Sequence, residues 1–287
     1  MRIAITGATG YLGAWLSRAL LARGDQVVVL SRTPGNLKRL VGLPVESFSY
    51  DPSGLEAALK IGPLDAVVHA ACAYGRAGET PAELVEANLL HPLRIALAAG
   101  TKIGTWINIG TGLPRDVSPY AVSKAQFVDW LEQLPSTQLA PRTVVALEHF
   151  YGPGDDPSKF LTRVARACIS GRPLDLTAGT QMRDFVHIED GVAGILTLLD
   201  SPCTSFRIIP LGSGIAVSVR SVVERIHTFI GSRSDLRFGA VSTRPNEPDL
   251  CRADITALCQ LGWIPTITLD SGLKSLVFSE RELGSNL

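Results

Sequence analysis

The chain opens on a short apolar run that leads directly into a glycine-rich turn. Residues 1–16 read MRIAITGATGYLGAWL, with glycines at positions 7, 10 and 13. The first glycine permits a tight turn, the second lets the backbone approach a pyrophosphate, and the third lets helix and strand pack closely. The N-terminus of the following helix attracts phosphate through its free N–H groups and its dipole. The spacing is GxxGxxG rather than the commoner GxGxxG, so an ordinary βα turn is the alternative to a dinucleotide site. The predicted cofactor contacts here are Gly7, Thr9, Gly10, Tyr11, Leu12 and Gly13.

Length, charge and cysteine content limit the classes of protein to consider. A chain of 287 residues can bury a large core, either as one domain or as a main domain with a smaller lobe. The 27 basic and 27 acidic residues balance, so neither nucleic acid nor an anionic membrane is indicated as a partner. The five cysteines are scattered and lack metal-ligand spacing. With no signal peptide and no apolar run long enough to span a membrane, we expect a cytoplasmic protein with reduced thiols and no metal site.

The end of the second predicted strand indicates which dinucleotide binds. Residues 26–30 (QVVVL) form an apolar run typical of a buried parallel strand. A Rossmann unit that prefers NAD usually has an acidic residue at the tip of this strand, whereas arginine accommodates a 2′-phosphate. This chain has Ser31 and Arg32 there. We therefore predict NADPH, with Arg32 on the 2′-phosphate and Ser31 assisting; a solvated basic loop is the alternative, and NAD is still allowed.

Polar residues in the next segments are candidates for the cofactor edge. Asp51 follows the third predicted strand and either accepts a hydrogen bond from the adenine amino group or is a turn residue before Pro52. The fourth predicted strand, residues 65–71, contains His69, which we interpret as a core histidine. A helix starting near Thr80 carries Asn88 on its apolar face, where a buried amide needs hydrogen-bond partners. The predicted contacts from this part of the chain are Asp51, Ala70, Ala71 and Asn88.

A tyrosine and a lysine four residues apart follow the fifth predicted strand, residues 105–109. Tyr120 and Lys124 lie on one face of a predicted helix. The phenol has an ordinary pKa of about 10, and a nearby ammonium lowers the pKa by favouring the phenolate. Lys124 could also hold the nicotinamide ribose. Thr111, just after the strand, would hydrogen-bond the substrate carbonyl, with Ser118 as the alternative.

Together, TGATGYLG, VVHAA and YAVSK resemble the extended branch of the short-chain dehydrogenase/reductase family. The resemblance implies an α/β fold, a Rossmann-type doubly wound parallel sheet with a smaller C-terminal substrate-binding lobe. It also implies Thr111 as the catalytic hydroxyl, Tyr120 as the acid-base residue and Lys124 as the cofactor-orienting residue. The segment from Thr111 to Tyr120 is shorter than is usual in this branch.

The second half resembles the nucleotide-sugar enzymes of the same branch. HFYGPG at 149–154 is similar to NxYGPG, with His149 in the place of asparagine, and the stretch from Arg183 resembles RDFxHVxD. Arginine matches phosphate geometry through its planar fork of donors, which suits a diphosphate. A salt bridge from Arg183 to Asp184 or Glu189 is the alternative. The predicted substrate-binding residues are Thr111, His149, Lys159, Arg183 and Arg244.

The same resemblance extends to the C-terminal region and suggests how the domains are divided. LGSG at 211–214 and LGWIP at 261–265 are similar to family segments. We predict an NADP-binding domain of residues 1–149, to which 185–212 return. The sugar-nucleotide lobe would then comprise 150–184 and 213–287.

The family includes 4-epimerases, 4,6-dehydratases, decarboxylases and 4-ketoreductases. The dehydratases use an acidic pair directly after the catalytic threonine, and Gly112-Leu113 here has no titratable group. With Arg32 indicating exchangeable NADPH, we predict reduction of the C4 keto group of a nucleoside-diphosphate-linked 4-keto-6-deoxyhexose, in deoxysugar biosynthesis. The narrower resemblance is to reductases of the abequose and paratose type. An NAD-dependent 4-epimerase and a non-catalytic dinucleotide-sensing regulator are the alternatives. The family also implies a homodimer through the helices beginning at Pro81 and Tyr120.

Overall fold

A computed structural model describes residues 1–285, which contain a seven-stranded parallel sheet and two smaller sheets. The strands are β1 (Arg2–Thr6), β2 (Gln26–Ser31), β3 (Val45–Ser49), β4 (Leu64–His69), β5 (Ile103–Ile109), β6 (Arg142–Leu147), β7 (His149–Tyr151), β8 (Leu174–Leu176), β9 (Met182–His187), β10 (Phe206–Leu211), β11 (Ala216–Ser218) and β12 (Leu236–Phe238).

Helices connect most of these strands. They are α1 (Tyr11–Ala22), α2 (Pro52–Ile61), α3 (Pro81–Val85), α4 (His91–Ala99), α5 (Pro119–Gln133), α6 (Phe160–Ile169), α7 (Ile188–Asp200), α8 (Val219–Ile230), α9 (Thr256–Gln260) and α10 (Leu269–Ser285). A π-helical turn, Glu86–Leu90, joins α3 to α4, and a 3₁₀ turn spans Lys38–Leu40. None of the helices in the described range is long and apolar enough to cross a membrane.

The main sheet has the strand order β10-β6-β5-β4-β1-β2-β3 with every neighbouring pair parallel. The chain moves outward in one direction from β1 to β3 and then returns to β4, on the other side of β1. Thr6 at the end of β1 is paired with Leu30 on one side and His69 on the other. In an open α/β sheet, ligands bind at the carboxyl ends of the strands where the order reverses. This confirms the predicted doubly wound fold.

Helices cover both faces of this sheet because its strands are apolar on both sides. One face packs against α1 and α7, which contribute Leu16, Leu20 and Ile195 to the core. The opposite face packs against α2, α4 and α5. Glycine ends α1 as expected, since Gly24 has a φ of 88° just after the C-cap.

A third hydrophobic core lies in the C-terminal part of the chain. Helices α6, α8 and α10 enclose it together with β8 and Phe185. Strand β9 pairs with β7 and β11 instead of the main sheet, so Met182–His187 belongs to a three-stranded sheet. The chain returns to the main sheet with α7 and β10, slightly later than the boundary at residue 185 predicted from the sequence. The division of the chain into an NADP-binding domain and a sugar-nucleotide lobe stays a prediction.

Candidate active site

The glycine turn between β1 and α1 is built so tightly that two of its positions exclude a side chain. Gly7 has a φ of 71°, and a Cβ placed on it would lie 2.6 Å from the Ala71 nitrogen. A Cβ on Gly13 would lie 2.2 Å from the Gly7 carbonyl oxygen. Ala70 and Ala71 follow β4 and donate their backbone N–H groups to Thr6. The turn therefore lies against the end of β4, where the strand order reverses.

The N-terminus of α1 has no side-chain cap. Gly10 occupies the N-cap position, and the first helical residues, Tyr11 and Leu12, follow it. The N–H groups of a first helical turn lack intrahelical acceptors. An uncapped helix start beside a turn that has no room for side chains fits a dinucleotide diphosphate. Contacts between the diphosphate and the residues of this turn stay a prediction; the residues are Gly7, Thr9, Gly10, Tyr11, Leu12 and Gly13.

Ser31 and Arg32 lie at the end of β2, which β1 and β4 separate from β5, the strand before the catalytic candidates. The Ser31 hydroxyl accepts a hydrogen bond of 3.2 Å from the Thr33 N–H. Arg32 is exposed and forms no ion pair within residues 1–285. Burial is the main cause of the raised pKa of the Tyr50 phenol, and the positive charge of Arg32 partly opposes this rise. A free guanidinium is thus available at the position where the sequence predicts a 2′-phosphate.

Asp51 caps helix α2. Its Oδ1 accepts hydrogen bonds from the Gly54 N–H at 2.8 Å and the Ser53 hydroxyl at 2.6 Å. The Ser49 hydroxyl donates to Oδ2. Together, the Ser49, Ser53 and Gly54 bonds lower the pKa of Asp51 to about 2. These contacts favour the turn interpretation, while a contact between Asp51 and adenine stays a prediction.

Asn88 lies in the π-helical turn and is fully buried. Its Oδ1 accepts from the Ala73 N–H at 2.8 Å, and its Nδ2 donates to the Ala73 carbonyl at 2.8 Å and to Ser123 at 3.0 Å. The sequence predicts that Asn88 contacts the cofactor, but these three bonds occupy both amide hydrogens. Asn88 thus ties the loop after β4 to α5, and its contact with the cofactor stays a prediction.

His69 is a core residue, as predicted. It has no solvent exposure, and its Nδ1 lies 2.7 Å from the Thr6 hydroxyl oxygen. Burial holds the pKa of its imidazole well below the usual range. The ring packs against Trp106 and Phe127. It therefore stays neutral and supports the end of the sheet.

Tyr120 and Lys124 lie in the first turns of α5, which Ser118 caps by accepting a 3.2 Å hydrogen bond from the Ala121 N–H. Lys124 is only 2% exposed and donates from Nζ to the Ile109 carbonyl at 2.7 Å. Thr111 acts on the Tyr120 phenol as a hydrogen-bonding partner. The short connection thus still places Thr111 beside Tyr120, and the Ser118 hydroxyl is engaged as a helix cap.

The pKa of Tyr120 is raised, in contrast to the lowering by Lys124 that the sequence leads us to expect. Burial is the main cause, and Cys72 adds to it, while Arg76 and Thr111 oppose it. Lys124 is itself deeply buried, and burial lowers the pKa of its ammonium group. In this state, the phenol keeps its proton at neutral pH.

Arg183 is buried and paired. It is 3% exposed, and its Nη2 lies 2.6 Å from Glu247 Oε1, while Nη1 donates to the Met182 carbonyl at 2.8 Å. The salt bridge therefore runs to Glu247 and not to Asp184 or Glu189, which corrects the partner expected from the sequence. Arg244 lies three residues before Glu247 and is exposed. Of the two arginines, Arg244 is the one free to meet a diphosphate.

His149 and Lys159 lie between the glycine turn and the C-terminal lobe. Lys159 Nζ is 3.1 Å from Asp155 Oδ1 and 3.6 Å from the centre of the Phe150 ring. Its ammonium therefore has partners within the protein, and a direct contact with substrate stays a prediction. The His149 ring is 5.7 Å from Phe185 and partly exposed.

Comparison with known proteins gives one family. A family model described as the NAD dependent epimerase/dehydratase family matches residues 3–209. The chain belongs to this family. It is 26% identical to the CDP-abequose synthase of Salmonella typhimurium, covering 96% of this chain and 97% of that one. It is also 26% identical to a UDP-glucose 4-epimerase of Yersinia enterocolitica, covering 94% of each. The fold is similar to the UDP-glucuronic acid 4-epimerase of Bacillus cereus, solved with UDP-glucuronic acid and NAD, at a TM-score of 0.86, 24% identity and coverage of 99% and 100%.

This member of the epimerase/dehydratase family has further side chains at the site that the sequence reasoning missed. Tyr74 lies with its ring centre 5.2 Å from that of Tyr120, and Arg76 lies 5.2 Å from the Tyr74 ring. The thiol of Cys72 and the charge of Arg76 both act on Tyr120. All three residues belong to the loop that directly follows the apolar fourth strand. This position in the chain is the sequence signal that could have identified them. Glu148, buried at the end of β6, was also missed.

Proposed function

We propose that this protein reduces the C4 keto group of a nucleoside-diphosphate-linked 4-keto-6-deoxyhexose with NADPH. The observation that carries the proposal is the Tyr120 phenol beside the Thr111 hydroxyl, at the sheet edge where the glycine turn lies. A reduction needs a proton donor for the oxygen that receives negative charge. Burial keeps the proton on Tyr120 until that charge develops.

The residues would act as follows. When bound, the dinucleotide supplies a hydride to the carbonyl carbon. Thr111 donates a hydrogen bond to the carbonyl oxygen, and Tyr120 transfers its phenolic proton to that oxygen, so the ketone becomes an alcohol. Lys124 uses one donor on the Ile109 carbonyl, and its remaining N–H groups suit the hydroxyls of the nicotinamide ribose.

A nucleotide sugar is the substrate class supported by the relatives, since a CDP-abequose synthase and a UDP-glucose 4-epimerase both match over nearly the whole chain. Arg244 is exposed and can present its planar fork of donors to a diphosphate. The ion pair between Arg183 and Glu247 fixes the loop that also carries Arg244, and would thereby help to position Arg244.

The second candidate is an NAD-dependent nucleotide-sugar 4-epimerase. The similarity to 4-epimerases, including one solved with NAD, favours it. An epimerase regenerates its cofactor in each cycle and needs none added, whereas a reductase consumes NADPH. The end of β2 favours the reductase, because Arg32 stands there without an acidic partner at the strand tip.

The deciding experiment is a screen of nucleotide-linked 4-keto-6-deoxyhexoses, with the absorbance of NADPH as the readout. We expect NADPH oxidation that depends on one of these sugars. If no sugar supports oxidation, and the purified protein instead carries NAD and interconverts UDP-glucose and UDP-galactose without added cofactor, the epimerase is the correct assignment.

Replacing Arg32 with alanine should weaken NADPH binding by about tenfold or more, because a charge-assisted pair with the 2′-phosphate contributes about 1.5–3 kcal/mol. NADH affinity should not change, since NADH lacks that phosphate. Fluorescence titration of both cofactors measures the effect. Arg233→Ala, in an exposed loop after α8, is the control and should bind both cofactors like the wild type. If Arg32→Ala lost the same affinity for NADPH and for NADH, Arg32 would not bind the 2′-phosphate.

We also propose a homodimer formed through the helices that include α4 and α5. Leu97 on α4 and Trp130 on α5 are 47% and 50% exposed, and a dimer through these helices would cover both side chains. Trp130→Glu should convert the dimer to monomer in sedimentation velocity. Phe278→Glu, at a position on α10 that is 67% exposed, should leave the dimer intact. A dimer that persists in Trp130→Glu would argue for another interface.

A further inference from the structure

The loop after β4 carries an unpaired cation close to the catalytic tyrosine. Arg76 is exposed, and within residues 1–285 it forms neither an ion pair nor a hydrogen bond. Its guanidinium carbon lies 5.2 Å from the centre of the Tyr74 ring. A guanidinium at this distance from the face of a tyrosine is attracted by the ring quadrupole. Tyr74 therefore holds a positive charge that forms no ion pair with an acidic side chain.

The backbone of this loop fixes the arrangement of Tyr74 and Arg76. The Ala73 N–H donates to the buried Asn88 amide oxygen, and the Ala73 carbonyl accepts from the Asn88 nitrogen, both at 2.8 Å. Gly75 has a φ of 72°, in the left-handed region that favours glycine. This turn brings Arg76 back over the ring that stands two residues earlier in the chain.

The Tyr74 ring also lies against the catalytic phenol. The ring centres of Tyr74 and Tyr120 are 5.2 Å apart, with an angle of 32° between the ring planes. Arg76, Tyr74 and Tyr120 thus form a stack in which the guanidinium is roughly 10 Å at most from the Tyr120 ring. Near a protein surface, a unit charge at this distance changes the equilibrium of a second charge by about tenfold.

The groups that face Tyr120 come from three parts of the chain. Cys72 and Arg76 belong to the loop after β4, Thr111 follows β5, and Lys124 lies one turn further along α5. Lys124 donates a hydrogen bond to a backbone carbonyl. Burial and Cys72 raise the pKa of Tyr120, whereas the positive charge of Arg76 opposes this rise. The electrostatic effect therefore agrees with the geometry of the stack.

We propose that Arg76 stabilises the negative charge that Tyr120 acquires when it gives its proton to the sugar, and that the Tyr74 ring holds Arg76 in place. The proposal rests on the proposed function. The O–H bond of Tyr120 breaks, the proton goes to the carbonyl oxygen, and the electron pair stays on the phenolic oxygen. A nearby cation stabilises this phenolate more than the neutral phenol. Arg76 acts through Tyr120 without touching the sugar, so it is a positioning residue.

The first test varies the charge at position 76 and measures NADPH oxidation in single turnovers with saturating sugar. Arg76→Lys should keep most of the rate, Arg76→Gln should lower it by about three- to tenfold, and Arg76→Glu should lower it by about the same factor again. The affinities for NADPH and sugar should stay unchanged. Arg233→Gln, in the exposed loop after α8, is the matched control and should react like the wild type. Thermal unfolding of each variant controls for the fold.

The second test asks whether the Tyr74 ring holds the guanidinium. Tyr74→Phe keeps the aromatic face, so Arg76→Gln should cost the same factor in that background as in the wild type. Tyr74→Leu removes the face, and Arg76→Gln should then cost less than about twofold, because residues that act together are not additive. An unchanged cost in Tyr74→Leu would show that the ring does not position Arg76.

Titration of the phenol separates this proposal from the proposed reaction, because it does not need turnover. A fluorinated tyrosine at position 120, followed by ¹⁹F NMR, reports the pKa of this phenol directly. In Arg76→Gln that pKa should rise by about one unit, and in Arg76→Lys it should stay at the wild-type value. If the titration follows the charge but no sugar is reduced, the stack acts as proposed and the reductase assignment fails.

Two outcomes would overturn the role of Arg76 and leave the reductase assignment unaffected. In the first, the phenol titrates alike in the wild type and Arg76→Gln. In the second, the single-turnover rate does not follow the charge at position 76, and the variants lose only affinity for NADPH or sugar. Arg76 would then be a binding residue for one of these phosphorylated ligands instead of a partner of Tyr120.

Discussion

Tyr120→Phe should lower the kcat of ketone reduction by about 1,000-fold, since general acid catalysis contributes about 10²- to 10⁴-fold. The substitution removes the phenolic hydroxyl and leaves the rest of the ring unchanged. The free energy of unfolding and the affinity for NADPH should stay close to those of the wild type, because the ring still packs against Tyr74.

Stopped-flow measurement of NADPH oxidation under single-turnover conditions gives the rate of the chemical step. Tyr74→Phe is the matched control, because it removes a second phenol whose ring centre is 5.2 Å from that of Tyr120. We expect a loss of less than about tenfold for Tyr74→Phe. Reduction at the wild-type rate by Tyr120→Phe would show that another group donates the proton, and Thr111→Val would then be the next variant to measure.

Gly13→Ala should destabilise the protein by about 3 kcal/mol or more and abolish NADPH binding. The added Cβ would lie 2.2 Å from the Gly7 oxygen and 2.7 Å from the Ala8 Cα. Both atoms belong to the backbone, so no rotamer change relieves the overlap and α1 must move away from the turn. The displaced helix N-terminus would no longer face the diphosphate.

Gly191→Ala serves as the control for the preceding variant. Gly191 is also a buried helical glycine, in α7, and a Cβ built on it meets no atom within 4 Å outside its own helix and chain neighbours. It should be neutral or stabilising by up to about 1 kcal/mol, since alanine has the higher helix propensity. Urea denaturation and NADPH titration compare the two. Equal stability of Gly13→Ala and Gly191→Ala would mean that the turn is far more adaptable than its geometry indicates.

The fold was predictable because its signals are local. The glycine spacing, the apolar runs and the Tyr120/Lys124 pair each depend on neighbouring residues, and the parallel doubly wound order follows from strands alternating with helices. The π-helical turn at Glu86–Leu90 has no comparable signal, because Asn88 is buried there by partners far away in the sequence.

The site was harder to predict wherever partners come from distant segments. The alternative to a diphosphate contact for Arg183 was a salt bridge to an acid near it in sequence, yet its partner is Glu247, 64 residues away. The pKa of Tyr120 depends on burial and on Cys72 and Arg76, neither of which is on its helix. Glu148 reaches Gly112 only because β5 and β6 are neighbours in the sheet. Such contacts depend on the tertiary fold, which spacing along one element does not reveal.

The place of β10 in the main sheet has a consequence for the nascent chain. Strand β6 pairs with β5 on one side and with β10 on the other. Strand β10 is synthesised after α6, β9 and α7, which lie between β6 and β10 in the chain. Until Phe206–Leu211 leaves the ribosome, the apolar β6 is an open edge with unpaired backbone groups. Open apolar edges pair readily with other chains. The time needed to translate the residues between β6 and β10 therefore determines how long the N-terminal half of the nascent chain is prone to aggregation.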